Sequence, residues 1–326
     1  MPDEPRLLET HRISRLMRCM VAQRRRAVSY PPAPDLGGRT ALVTGGTGGI
    51  GLETARGLLD CGATVVITAR NAARAESTMS QLTDGHGARA ARLAVVSLDL
   101  ADLATVPAAA EAIRDRLQGA HLDILVENAG MQPHQHALTA QGHEIAFGTN
   151  VLGHFVLRRA LADTLASDAR VVIVTGDIYL LQRECTSSFA YGGPLGAMRA
   201  YCRSKLGNIW IARELQRRRH ELSVGIVHPG VVATGLAGAS GLTEWIMNRM
   251  LLSPREGART SLFVAAQPTI TPAGYYHNTR GHVRFSDGDP ALDEAGARRL
   301  WEECERLTDQ ILSIRANESI REGAPA

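Results

Sequence analysis

Short apolar, β-branched runs alternate along this chain with stretches of roughly 10 to 20 residues whose apolar positions recur every three to four. The runs are Ala41 to Thr44, Thr64 to Ala69, Ala94 to Leu98, Ile124 to Glu127, Val171 to Thr175 and Val224 to His228. Each is apolar on consecutive residues rather than on alternate ones, as a strand buried on both faces requires. Such strands separated by helices predict an α/β fold with a doubly wound, mostly parallel sheet of Rossmann type, held in one domain over residues 36–314. Residues 235 to 253 break the rhythm, a helical pattern from Glu294 to Ile314 closes the domain, and residues 315–326 read as a flexible tail.

Residues 1–35 stand apart as an Arg-rich extension. Leu7, Ile13, Leu16, Met17, Met20 and Val21 recur mostly at spacings of three to four between arginines, which suggests one amphipathic helix. It either packs on the domain or a second subunit, or lies on a membrane surface, although it has no Trp or Phe to seat in lipid. Pro31, Pro32 and Pro34 form an extended linker into the domain.

Composition narrows the class. A net charge of +3 over 326 residues, 4% aromatics and no basic block interleaved with aromatics argue against a nucleic-acid partner. Five widely spaced cysteines without a C-x-x-C pair point to free thiols in a reducing cytoplasm, and the two loop histidines His134 and His136 lack the neighbours of a metal site. No run approaches the roughly 18 apolar residues of a membrane span. The N-terminus lacks the apolar core of a secretion signal. Of the 36 basic side chains, all are Arg except Lys205.

The first strand runs directly into Thr44-Gly45-Gly46-Thr47-Gly48-Gly49-Ile50-Gly51, and a helix follows from about Leu52. Glycines there allow a tight turn and close approach of the backbone to a pyrophosphate, with helix amides as donors. Gly45, Thr47, Gly49, Ile50 and Gly51 are the candidate contacts. The second strand ends in Arg70, where NAD-binding folds generally place an acid to hold the ribose 2′-hydroxyl and an Arg accommodates a 2′-phosphate. Arg70 therefore points to NADP (NADPH), the alternative being a solvated Arg in an Arg-rich chain. Asp99, with Leu100 after it, follows the third strand and is placed to meet the adenine.

Tyr201 and Lys205 lie four residues apart and share a helix face. An ammonium beside a phenol favours the phenolate, so the pair can transfer protons, or it can be an ordinary surface pair. With these motifs in order, the sequence resembles the short-chain dehydrogenase/reductase family over about residues 36 to 312. Thr44-Gly45-x-x-x-Gly49-x-Gly51 matches the cofactor turn, Asn128-Ala129-Gly130 the strand-four motif, and Asn150 the structural and catalytic asparagine. Tyr201-x-x-x-Lys205 matches the active site and Pro229-Gly230-x-x-x-Thr234 the nicotinamide clamp. Asn150-Val151-Leu152-Gly153-His154-Phe155 and His228-Pro229-Gly230-Val231-Val232 look like the retinol-dehydrogenase and WW-domain-oxidoreductase-like branch, which uses NADP(H) on apolar carbonyls or alcohols.

The resemblance implies that Tyr201 is the general acid or base and that Lys205 holds the nicotinamide ribose and lowers the Tyr201 pKa. It implies a water relay at Asn150, a carboxamide anchor at Thr234 and the Val231 backbone, and cofactor contacts at Pro229, Gly230 and Val232. A homodimer or homotetramer is usual in the family. The family's catalytic Ser is missing, because Val171 to Val174 runs into Thr175-Gly176-Asp177 and Gly176 falls at that position. Thr175 is a chemical substitute, and Asp177 either closes a turn or meets a substrate hydroxyl or amine. The expected function is interconversion of a small hydrophobic carbonyl compound and its alcohol. The alternative is an NADP-binding protein of this fold with altered or no redox chemistry, cyclase- or isomerase-like or scaffolding.

Overall fold

A computed structural model of the chain describes residues 23, 28–83, 87–189, 191–193, 195–232 and 251–322. Eight strands form one sheet in the order β3-β2-β1-β4-β5-β6-β7-β8. They are β1 (Thr40–Val43), β2 (Thr64–Ala69), β3 (Leu93–Ser97), β4 (Leu122–Glu127), β5 (Leu165–Val174), β6 (Ser223–His228), β7 (Gly274–His277) and β8 (Gly281–Val283). All pairs are parallel except β7 with β8. The longer helices are α1 (Gly49–Asp60), α2 (Ala72–Thr83), α3 (Val106–Leu117), α4 (Gly153–Ala160), α5 (Gly196–Arg218), α6 (Pro254–Ala266) and α7 (Glu294–Glu322).

The consecutive apolar runs are explained by two cores, one on each face of the sheet. On one side Leu42, Leu125, Val171 and Ile226 pack against Ile113, Phe155, Leu206, Trp210 and Leu300 from α3, α4, α5 and α7. On the other, Val43, Ile67, Val126 and Val227 pack against Leu58, Leu82 and Val264 from α1, α2 and α6. Strand order reverses between β1 and β4, and the C-terminal strand ends meet there, which is where open parallel sheets bind ligands.

Several expectations shift. Strand β5 begins at Leu165, before Val171, and carries Asp168 and Arg170 as strand residues. Arg170 is buried and donates to the Val264 carbonyl, so its charge did not force a loop. Strands β7 and β8 are additions to the six predicted ones. Helix α1 starts at Gly49 rather than near Leu52. The last helix continues to Glu322, beyond the Ile314 at which the helical pattern was expected to close; Arg315, Ala316 and Glu318 favour helix, and no breaker intervenes before Gly323. The predicted N-terminal helix, apart from Gln23 and residues 28–30, and residues 235–250 of the segment that breaks the rhythm lie outside the described residues. No helix among the described residues is long and apolar enough to cross a membrane.

Candidate active site

The glycine turn is built for a close ligand. Gly45 has φ +65° and Gly49 φ +53°, in the left-handed region open to glycine. A Cβ on Gly46 would meet Ile67 at 2.6 Å, and one on Gly51 would meet the Asn128 amide and the Gly45 carbonyl oxygen, both at 2.4 Å. Gly48 instead faces open space, with nothing within 4 Å of a Cβ. No acidic residue stands in the first turn of α1 and no side chain caps it, so its amides stay available to an anion. Thr47 and Ile50 sit half-buried in the same turn. These residues fit a dinucleotide pyrophosphate.

Arg70 is exposed at the end of β2, as a 2′-phosphate contact requires. Asp99 spends one carboxylate oxygen on the amide of Ala101 at 2.9 Å, which leaves the other for a ligand. Leu100 turns its side chain into the core, so a cofactor contact there can use only its main chain.

Thr44 stitches β1 to β4. Its hydroxyl oxygen accepts from the amides of Asn128 at 2.9 Å and Ala129 at 3.0 Å, and the Asn128 side chain donates to the Thr44 carbonyl at 2.9 Å. Glu127, the last residue of β4, forms a buried ion pair with Arg158 at 2.5 Å. Asn150 lies on a π-helical turn, Gly148–Leu152, that runs into α4. Such a bulge is frequent at functional sites, and here it accompanies an Asn150 side chain bonded away from its own helix. The Asn150 amide donates to the Met131 carbonyl and the Ser204 hydroxyl, both at 2.9 Å, and its oxygen accepts from the Met131 amide at 2.8 Å. Asn150 thus joins β4's trailing loop to α5.

Tyr201 and Lys205 sit on α5, with the Lys205 ammonium 5.4 Å from the centre of the Tyr201 ring. A Cβ on Gly130 would lie 3.4 Å from Asn150 Oδ1 and 3.6 Å from Lys205 Nζ, so Gly130, Asn150 and Lys205 converge. Lys205 donates to the Val174 carbonyl at 3.4 Å, and Asn208 reaches the same oxygen at 3.1 Å. Burial pushes the lysine down to about 8 and the Tyr201 phenol up to about 12. Desolvation is the largest influence on the phenol, so Tyr201 stands as a neutral acid in the free chain.

The candidates for the missing Ser are also corrected. The Thr175 hydroxyl donates to the Lys205 main-chain carbonyl at 2.7 Å, so its proton is committed to holding α5. Asp177 is buried and turned away into a polar cluster that sequence spacing did not reveal. It accepts from Tyr275 at 2.6 Å and Arg280 at 2.7 Å and lies 3.2 Å from His277 Nε2. His228 packs on His277 with ring centroids 4.5 Å apart, because the β6–β7 register places the two opposite each other. The charges and donors around Asp177 hold it well below the usual carboxylate range despite burial. Tyr179 and Leu180, just beyond Asp177, are in the core, with Tyr179 bonded to Asp289 at 3.0 Å.

Pro229 and Gly230 end β6, and Gly230 has φ +87°. A Cβ there would strike Leu252 at 2.5 Å. Val232 bridges Leu252, and Thr234 lies outside the described residues. Gln23, which no sequence signal marked, clamps this turn: its amide donates to the Val231 carbonyl at 3.0 Å and its oxygen accepts from the Val231 amide at 2.9 Å.

Sheet order and the glycine turn together define a dinucleotide-binding fold of Rossmann type. The profile of the family described as short chain dehydrogenase matches residues 39–245. Retinol dehydrogenase 14 from Mus musculus is 34% identical over 290 residues, spanning 81% of this chain and 84% of that protein. The WW domain-containing oxidoreductase of Gallus gallus is 33% identical over 304 residues, spanning 86% and 71%. Among solved structures, an uncharacterized protein from Mycobacterium paratuberculosis superposes with a TM-score of 0.67 at 27% identity, over 87% of this chain and 98% of that one. The NADPH-bound carbonyl reductase from chicken fatty liver shares the fold, with a TM-score of 0.59 at 22% identity over 77% and 100%. The chain belongs to the short chain dehydrogenase family.

Proposed function

We propose that this protein is an NADP(H)-dependent oxidoreductase that interconverts a hydrophobic carbonyl compound and its alcohol. The observation that carries the reading is the convergence of Tyr201, Lys205 and Asn150 at the C-terminal edge of the sheet, beside a glycine turn shaped for a dinucleotide. When bound, the nicotinamide supplies hydride to, or takes it from, the substrate carbon. Tyr201 gives the carbonyl oxygen its proton in reduction and removes it in oxidation. A phenol held neutral by burial is ready for the first of these. Lys205, which donates to the Val174 carbonyl and converges with Asn150 on Gly130, would hold the nicotinamide ribose. Asn150 keeps the Met131 loop and Ser204 in place behind it.

Arg70 supports NADP over NAD: a charge-assisted contact of about 1.5–3 kcal/mol corresponds to roughly tenfold to a hundredfold preference. The substrate class is supported by Leu195 and Met198, apolar side chains exposed by 66% and 36% at the start of the helix that carries Tyr201. Met198 lies three residues before Tyr201 on the same helix face. Retinol, the alcohol in the name of several relatives, is an apolar molecule of the kind such a rim suits. A reducing, cytoplasmic setting belongs to the same reading, supported by the free thiols Cys61, Cys185, Cys202 and Cys304.

The test follows the label. With deuterated NADPH and a panel of apolar aldehydes and ketones, the alcohol should carry one deuterium on the carbinol carbon. Product formed without label transfer would refute the redox assignment and favour isomerase-like chemistry.

A further inference from the structure

We propose that His228, through Nδ1, gives the substrate oxygen the hydrogen bond that the family takes from a serine, across the side-chain space left open at Gly176. The proposal rests on the carbonyl chemistry set out above. A Cβ built on Gly176 meets one side-chain atom within 4 Å, His228 Nδ1, at 3.7 Å. Gly176 has φ −164° and ψ 149°, extended backbone that any residue adopts, so the glycine serves space rather than backbone conformation. His228 is 7% exposed, and its Nδ1 has no hydrogen-bond partner among the described residues. Leaving a buried donor or acceptor without a partner costs about 1–3 kcal/mol, a cost most readily explained by a ligand that completes the bond.

The placement suits the role. Gly176 follows β5 and His228 ends β6, two neighbouring strands whose register pairs Val174 with Val227. Lys205 reaches the carbonyl of Val174 from α5, so the imidazole, the lysine and the space over Gly176 share one edge of the sheet. Behind His228, His277 is held by the ionised Asp177, which Tyr275 and Arg280 saturate with hydrogen bonds. The carboxylate therefore cannot itself bind the substrate oxygen, but its cluster fixes the ring that can. Burial keeps His228 neutral, and a neutral imidazole carrying its proton on Nδ1 is a donor there. Asp177, His228 and His277 also bring ligand-type atoms within 4.8 Å of one another, but the Arg280 guanidinium on the carboxylate opposes a cation.

In reduction the bookkeeping is complete without a charge change at His228. A bound reduced nicotinamide would supply the hydride to the carbonyl carbon, with the C=O π pair moving onto oxygen. That oxygen takes the Tyr201 proton, while His228 holds it by a hydrogen bond and keeps its own proton. Solvent then returns a proton to Tyr201, and the hydride donor would be left as the oxidised cofactor.

The test compares the wild type with His228→Ala, Gly176→Ser and the double variant, following turnover of an apolar ketone and NADPH affinity by fluorescence. Loss of an oxyanion donor predicts a fall of roughly 10²–10³ in kcat for His228→Ala with NADPH affinity nearly unchanged. Gly176→Ser should recover about tenfold or more in the His228→Ala background, since a serine hydroxyl enters the same space. As a measurement that needs no variant to fold, ¹⁵N NMR of histidine-labelled wild type with NADP⁺ should show the His228 Nδ1 resonance moving when an unreactive ketone is added. Full kcat in a folded His228→Ala variant, no recovery by Gly176→Ser, or a static Nδ1 resonance overturns the proposal while leaving the oxidoreductase reading standing. A wild type that binds NADPH but turns over no carbonyl overturns both.

Discussion

The Thr175 hydroxyl donates to the main-chain carbonyl of Lys205 at 2.7 Å and so ties the end of β5 to the helix that carries Tyr201 and Lys205. A helix carbonyl that accepts this extra bond fixes the axial position of Lys205 relative to Val174. Thr175→Ser keeps the bond and should keep both stability and kcat within about twofold. Thr175→Val removes it from a buried site and should cost about 1–2 kcal/mol in urea unfolding. If Thr175→Val instead leaves stability intact and lowers kcat by roughly 10² or more, Thr175 is the missing donor and the assignment above is wrong.

Lys205 carries a cost of burial that its proposed role in catalysis accounts for. Its fall from an ordinary 10.5 to about 8 penalises the charged form by about 3 kcal/mol at neutral pH. Between about 8 and 10.5 the unfolded chain binds a proton that the folded chain lacks, so this group's contribution to stability rises with pH across that window. Lys205→Met should therefore abolish turnover yet raise stability by about 1–3 kcal/mol near neutral pH, with the gain vanishing towards pH 10.5. Denaturation of both proteins across that range measures the difference. A variant that is less stable at every pH would contradict it.

Glu127 and Arg158 form an ion pair with side chains only 4% and 6% exposed. Glu127→Ala strands the guanidinium in the core, where Arg158 already has one nitrogen without a partner among the described residues. The expected loss is about 3–5 kcal/mol, whereas Glu127→Leu with Arg158→Met should be close to neutral. A double-mutant cycle of thermal midpoints checks this; equal losses in the single and double variants would refute it.

Cofactor preference reads out Arg70. Arg70→Asp should weaken NADPH and spare NAD(H), shifting the ratio of the two affinities by roughly tenfold to a hundredfold. An unchanged ratio would show that this arginine is solvated surface.

The six parallel strands and the cofactor turn were legible in the sequence because each is a local pattern: a consecutive apolar run, or glycines between a strand and a helix. Asn150, Tyr201 and Lys205 were legible through spacing and family resemblance. Strands β7 and β8 were not, since Gly274–His277 and Gly281–Val283 are short and mix glycine, tyrosine and histidine without a long apolar run. Nor was the Asp177 cluster, whose members lie about a hundred positions apart and meet only through the register that sets His277 beside His228. Thr175 and Asp177 show the limit most clearly. Their residue types suited the missing serine, but a hydroxyl's direction and a carboxylate's neighbours are tertiary facts.

The central claim is that Tyr201 transfers the proton in NADPH-dependent carbonyl reduction. The direct measurement is NADPH consumption with apolar aldehydes and ketones by the wild type and by Tyr201→Phe, with cofactor affinity determined for each. Turnover by the wild type, lost by roughly 10²–10⁴ in Tyr201→Phe with NADPH still bound, is the result predicted. Equal turnover by the two proteins, or none by the wild type on any carbonyl, would contradict it.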